Sequence, residues 1–324
     1  MPIATRRALF ALPALATPFA ARAQEWAPNA PVRLINPFAP GGSPDILARV
    51  MAPHMQAVLG QPMVVENRPG AGAAVGTRSV ARAAPNGQEV LLAPISSLIA
   101  PYMMREPGYA IADFRAVSLL AITPTVLVTR PNFPARTIQE WDQVVRANPG
   151  RFSCATGGPG TPHQLAAELY RAQTGADFTQ VAYRGTAPAL TDLRAGTVDF
   201  MFADMPAALA LVRAGSLPAL AVGVAQRVPA LAEVPTMSET VLPGFEAYSW
   251  VMWWVPAATP DAVARRLNAA ARHGLAQPDV QERGNGVGFV LAGTDLAQAE
   301  AHVRAEDAKW SALIRARGLR FEEG

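Results

Sequence analysis

Pro37-Phe38-Ala39-Pro40-Gly41-Gly42-Ser43-Pro44-Asp45 closes an apolar run at residues 32–38 and opens an amphipathic one, with Ile46, Leu47, Val50, Met51, Met55, Val58 and Leu59 on one side. Such punctuation reads as a strand, a glycine turn and a helix. Ser43 is expected as the N-cap and Pro44 as the first helical residue, where its missing N–H costs nothing. Gly60 closes the helix, and Pro53 inside it predicts a kink near residues 52–54. The design recurs at Gly157-Gly158-Pro159-Gly160-Thr161-Pro162, after an expected strand at 152–155 and before a helix at 162–175. Thr161 and Gln164 there fit a capping box. Glycine permits sharp turns and close approach to the backbone, and each helix start favours negative charge by about 0.3–1 kcal/mol, or about 2 when sheltered. Singly, each loop reads as an ordinary capped turn. As a pair they also read as two anion-receptive termini facing one cleft, because ligands of open α/β sheets bind beyond the carboxyl ends of strands.

Outward from these loops, strand and helix signals alternate, the mark of an α/β protein with largely parallel sheets. Strands at 63–66 and 89–93 and a helix at 75–84 complete a first β-α-β-α-β run. A second holds strands at 125–129, 152–155, 179–183, 198–203 and 219–224. Helices at 137–147, 162–175, 188–195 and 206–214 lie between them. Two β-rich segments, 124–130 and 248–256, divide the chain and are the expected crossings between two lobes. Residues 24–124 with 250–324 would form lobe 1, and 125–249 lobe 2. The final helix carries Leu296, Ala299, Val303, Trp310, Leu313 and Ile314 on one stripe and ends at Gly318. Trp250, Trp253 and Trp254 in the return crossing could line a ligand site or pack at a lobe interface. Glu66-Asn67-Arg68-Pro69-Gly70-Ala71-Gly72, followed by Gly76, matches a dinucleotide fingerprint only loosely and reads as a turn supporting lobe 1.

Composition excludes several functions. Of 324 residues, 28 are basic and 25 acidic, but Arg6, Arg7 and Arg22 precede the first acid, Glu25, leaving 25 of each. A neutral body argues against nucleic acid as a partner. The basic pair, the apolar run at 8–21 and Ala21-Arg22-Ala23 mark residues 1–23 as a signal peptide, for the general or the twin-arginine route, so a periplasmic protein is expected. Cys154 is the only cysteine, which rules out an intrachain disulfide and cysteine-rich metal sites. Lys309 is the only lysine; no glycine precedes it, so there is no Walker-type phosphate loop, and its helical surroundings look solvated. His54, His163, His273 and His302 show no metal-ligand spacing. No metal, cofactor or catalytic centre is expected. Asp45 stands where a G-x-S-x-G elbow needs its last glycine, so a secreted serine-type hydrolase using Ser43 or His163 remains only as the alternative.

The chain resembles the periplasmic solute receptors of the tripartite tricarboxylate transporter type, the Bug family, over nearly its whole mature length. The resemblance is carried by the first loop with Ala48-Arg49 and by Val65 to Gly72. Further on it includes Tyr183-Arg184-Gly185 with Pro188-Ala189 and Asp192-Leu193, Gly196-Thr197-Val198-Asp199, and Val234-Pro235-Thr236 with Glu239. It implies the two-lobed type II periplasmic-binding-protein fold, with two crossing strands as hinge. It further implies no catalysis, and capture of a small carboxylate or related polar metabolite between lobes for uptake or sensing. A membrane transporter or sensor is the implied partner, and a monomer is expected. Matching ligand-binding positions on the first loop are Phe38, Ala39, Pro40, Gly41, Gly42, Ser43 and Asp45. On the second they are Thr156, Gly157, Gly160, Thr161, Pro162, His163 and Gln164. Ser96, Ser97, Tyr183, Thr186, Ala187, Pro188 and Asp204 match further cleft positions. His163 falls one place before the histidine of many relatives. Asp204 could meet an amine or hydroxyl on the ligand, or cap the following helix.

Overall fold

The computed structural model describes residues 26–320, so the leader expected at 1–23 lies outside the described residues. The first run comprises β1 (Val32–Asn36), α1 (Ser43–Leu59), β2 (Met63–Asn67), α2 (Ala74–Ala81), β3 (Glu89–Pro94) and α3 (Ile95–Met103). The second holds β4 (Phe114–Thr129), α4 (Ile138–Ala147), β5 (Ser153–Thr156), α5 (Pro162–Thr174), β6 (Thr179–Ala182), α6 (Thr186–Ala195), β7 (Phe200–Asp204), α7 (Met205–Arg213), β8 (Ala219–Val222) and α8 (Met237–Thr240). The chain returns through β9 (Tyr248–Pro256), α9 (Asp261–Leu275), α10 (Pro278–Gly286), β10 (Val290–Leu291) and α11 (Leu296–Arg317).

The strands lie in the order β2-β1-β3-β9-β4-β7-β5-β6, with β8 and β10 also on β4. Two parallel trios, β2-β1-β3 and β7-β5-β6, are the cores of two lobes. Strands buried on both faces read as continuous apolar runs. Leu34 and Ile35 in the first trio, and Cys154, Ala155, Phe200 and Phe202 in the second, are accordingly shielded from solvent. Between the trios, β4 passes from one sheet to the other. Up to Pro124, opposite Tyr248, it pairs antiparallel with β9; from Thr125, opposite Asp204, it pairs antiparallel with β7. The crossing is tied locally: the Thr125 hydroxyl donates to the Ala247 carbonyl at 2.5 Å, and the Gly223 N–H to the Thr125 carbonyl at 2.9 Å. α11 packs on α3 and β4 and reaches α5, where Arg317 Nε lies 2.6 Å from Glu168 Oε2.

Several local expectations change. β1 stops at Asn36, two residues early, because the Asn36 side chain accepts the Phe38 N–H at 3.3 Å and starts the turn. Gly42, not Ser43, occupies the N-cap of α1, and no side chain caps that end. The helix continues through Pro53 to Gly60, whose φ of 75° is left-handed. The strand expected at 125–129 is the second part of a 16-residue β4. α3 lacks a legible stripe because Ile95, Ser97, Leu98, Ile99, Ala100 and Met103 are all buried. Lys309 is only partly exposed: its Nζ pairs with Glu306, donates to the Glu246 carbonyl at 3.3 Å and lies over the rings of Tyr248 and Trp310.

Candidate functional site

Both glycine loops sit at the carboxyl ends of strands and open helices, so their conformations decide what the helix starts can present. The first is drawn together by its own polar side chains. Asp45 Oδ2 accepts from the Gly41 N–H at 3.0 Å and Arg49 Nε at 2.9 Å; Oδ1 accepts from Asn67 at 2.9 Å and Asn36 at 3.3 Å. The Asn67 amide also donates to the Phe38 carbonyl at 3.0 Å, which fastens the loop to the end of β2. Burial alone would raise the Asp45 carboxyl, but the Arg49 guanidinium, the Gly41 N–H and the amides of Asn67 and Asn36 outweigh it and hold the group well below the usual carboxylate range. With the carboxylate turned inward, no side chain caps the first-turn N–H groups of α1, and the positive end of the helix faces outward.

The second loop is braced from the helix it opens. Thr161 caps α5, accepting the Gln164 N–H at 3.4 Å while its hydroxyl donates to the Gly158 carbonyl at 2.7 Å. Gln164 Oε1 accepts the Gly160 N–H at 2.7 Å. His163, buried beneath the loop, accepts the Gly157 N–H on Nδ1 at 3.2 Å, and its Nε2 lies 3.0 Å from Asp204 Oδ2. A backbone donor at Nδ1 leaves the ring proton on Nε2, so the imidazole donates to Asp204 and is neutral. His163 and Gln164 thus both turn inward and shape the loop.

One cavity of about 320 Å³ joins the two loops. Phe38, Gly42 and Pro44 reach it from the first; Pro159, Gly160, Thr161 and Pro162 from the second. Ser96 and Asp204, expected from opposite lobes, also line it. Other expected residues stand behind this layer. Ser97 is buried against Thr77, with 2.7 Å between hydroxyls, and Thr156 accepts the Gly158 N–H. Tyr183 donates to Asp192 at 2.8 Å, and the Thr186 hydroxyl lies 3.4 Å from His163 Nε2. Ala39, Pro40 and Gly41 are exposed on the first loop, and Ala187 and Pro188 on the first turn of α6. None of these lines the cavity, nor do Asp45, Gly157, His163 and Gln164.

Sequence reasoning missed the cavity floor. Thr123 and Ser249 pair across β4 and β9, and both line the cavity beside Trp250. The available signal was Ser249 within the largely apolar run of β9; Thr123 is one of several hydroxyls in β4 and carried none of its own. Trp250 serves both readings offered for it: it lines the cavity and is buried, its indole donating to Glu306 Oε2 at 3.0 Å, which also accepts from Trp310 at 2.8 Å. Gly72 lines the cavity too, so the segment that loosely matched a dinucleotide fingerprint contributes to this site. Among the described residues no group of acids, histidines and cysteines could hold a metal, and no helix is long and apolar enough to cross a membrane. Burial pushes the Cys154 thiol up, so it stays protonated in the core.

Comparison with known proteins gives the same architecture. The protein BugT of Bordetella pertussis is 34% identical over 300 residues, covering 91% of both chains. MatC from Rhodopseudomonas palustris, solved with bound malate, is 31% identical with a TM-score of 0.72, covering 89% of this chain and 99% of its own. R. palustris Rpa4515, solved with adipate, is 29% identical with a TM-score of 0.76, covering 90% and 99%. The family described as "Tripartite tricarboxylate transporter family receptor" matches residues 47–319. Two α/β lobes, a crossing strand pair and a cavity between two helix starts are therefore the features of a type II periplasmic binding protein, and the chain belongs to the tripartite tricarboxylate transporter receptor family, whose members are receptors and not enzymes.

Proposed function

We propose that this protein is an exported receptor that captures a small carboxylate between residues 24–124 with 250–324 as one lobe and 125–249 as the other. The observation that carries this reading is the single cavity lined by the first turns of both α1 and α5. Two helix N-termini converging on one space favour negative charge there, together by about 1–4 kcal/mol. Micromolar affinity needs about 8 kcal/mol, so hydroxyls at Ser96, Thr123 and Ser249 and the exclusion of water supply the remainder. The solute touches both lobes only when they are shut, so its binding favours closure by population shift. Residues 1–23 direct export by the general or twin-arginine route. The receptor acts as a monomer and passes its solute to a membrane transporter or reports it to a sensor.

The hydrolase alternative has nothing in its favour, since both ring nitrogens of His163 are engaged within its own lobe. A thermal-shift screen of the purified mature protein against di- and tricarboxylates, amino acids and aromatic acids tests the receptor reading. A ligand at 100 times its dissociation constant should add about 2.7 kcal/mol of stability. Failure of every carboxylate to raise the melting temperature would refute it.

A further inference from the structure

Among the described residues, Asp204 is the one charged residue that lines the cavity. It stands at the N-cap of α7 yet makes no side-chain cap hydrogen bond, so the capping role open to it is not what holds it there. Its Oδ2 accepts the Nε2–H of His163 at 3.0 Å, while its Oδ1 is shielded from solvent and has no hydrogen-bond partner among the described residues. The imidazole does not cancel the charge, because the Gly157 N–H at its Nδ1 keeps the ring neutral. Ser96 Oγ, also a cavity residue, is likewise buried without a partner. Among the described residues the wall therefore pairs two anion-favouring helix starts with a fixed negative group and no cationic side chain.

Resting on the receptor reading above, we infer that Asp204, held by His163, selects solutes that carry an ammonium group beside their carboxylate. A plain dicarboxylate would satisfy the helix termini and be repelled by Asp204. An amino acid satisfies both, its ammonium donating to the Asp204 carboxylate in a charge-assisted bond. A hydroxyl in that place would donate but leave the charge uncompensated, so hydroxy acids rank between the two. Asp204 acts here through direct contact with the ligand, whereas His163 is a positioning residue that fixes the carboxylate through one oxygen.

The test is calorimetric titration of matched pairs that differ only in the amine: succinate with aspartate, glutarate with glutamate, and phenylpropionate with phenylalanine. For at least one pair, the amino member should bind the wild-type protein at least about tenfold more tightly. Asp204→Asn keeps an acceptor for His163 and removes the charge, so it should erase most of that preference while leaving the unsubstituted acid bound as well or better. Equal or weaker binding of the amino members by the wild type would overturn the inference and leave the receptor reading intact. So would an unchanged ratio in Asp204→Asn. Failure of every acid in both series to bind would overturn both. Should the variant not fold, as judged by its melting curve, the wild-type pairs decide alone.

Discussion

Asp45 shows how much of the site is settled by the direction of one carboxylate. It turns away from the cavity to gather Gly41, Asn36, Asn67 and Arg49, and the loop that opens α1 keeps its shape because of it. Removing a buried, fully bonded charge strands its donors, so Asp45→Ala should cost about 3 kcal/mol in urea unfolding and weaken ligand binding with it. The pH dependence follows from the lowered folded-state pKa. The unfolded chain then binds more protons, so stability rises with pH. The contribution is complete above about pH 4, the ordinary aspartate range, and is lost as pH falls further towards the folded-state pKa. The gap between wild-type and Asp45→Asn unfolding midpoints should therefore be widest near neutrality and narrow in acid. The two loops that carry Asp45, His163 and Gln164 were legible, because glycine, proline and hydroxyl spacing fixes a turn locally. The directions of Asp45 and His163 were not, because they depend on Asn36, Asn67 and Asp204, which only the fold brings near.

The two helix openings differ as elements, despite similar sequences. α5 has a Thr161 cap, whereas α1 has Gly42 and no side-chain cap. Thr161→Ala should cost about 1 kcal/mol of stability, measured by denaturant titration. The second loop also has little room. A Cβ on Gly157 would lie 2.7 Å from His163 Nδ1, so Gly157→Ala must displace the ring that positions Asp204. Ligand affinity should fall by at least about tenfold, which is about 1.4 kcal/mol. The crossing is tighter still, with a Cβ on Gly223 meeting the Ala247 carbonyl at 2.6 Å. The Cβ would also strike the Thr125 hydroxyl that ties the crossing, and the Ala247 backbone cannot yield cheaply, so Gly223→Ala should lower stability by about 1–3 kcal/mol. The parallel trios were legible from their apolar runs. The first part of β4 and all of α3 were not, since burial on every side removes the alternation or stripe that marks an element.

At the scale of the whole molecule, two similar lobes are joined by a strand pair and overlaid by α11, which touches elements of both. The ion pair of Arg317 with Glu168 and the shared Glu306 between Trp250 and Trp310 run from that helix to the second lobe and the cavity wall. Closure on a ligand must then be a rotation about β4 and β9 with α11 as its backing. Small-angle scattering should show the radius of gyration falling when a stabilising carboxylate saturates the protein, and an unchanged value would argue against closure. The most direct measurement is a crystal structure of the mature protein with that carboxylate bound. The expected result is a carboxylate oxygen within hydrogen-bond reach of donors from both loops, 38–45 and 156–164. A ligand held by one lobe alone, or outside the space between α1 and α5, would contradict it.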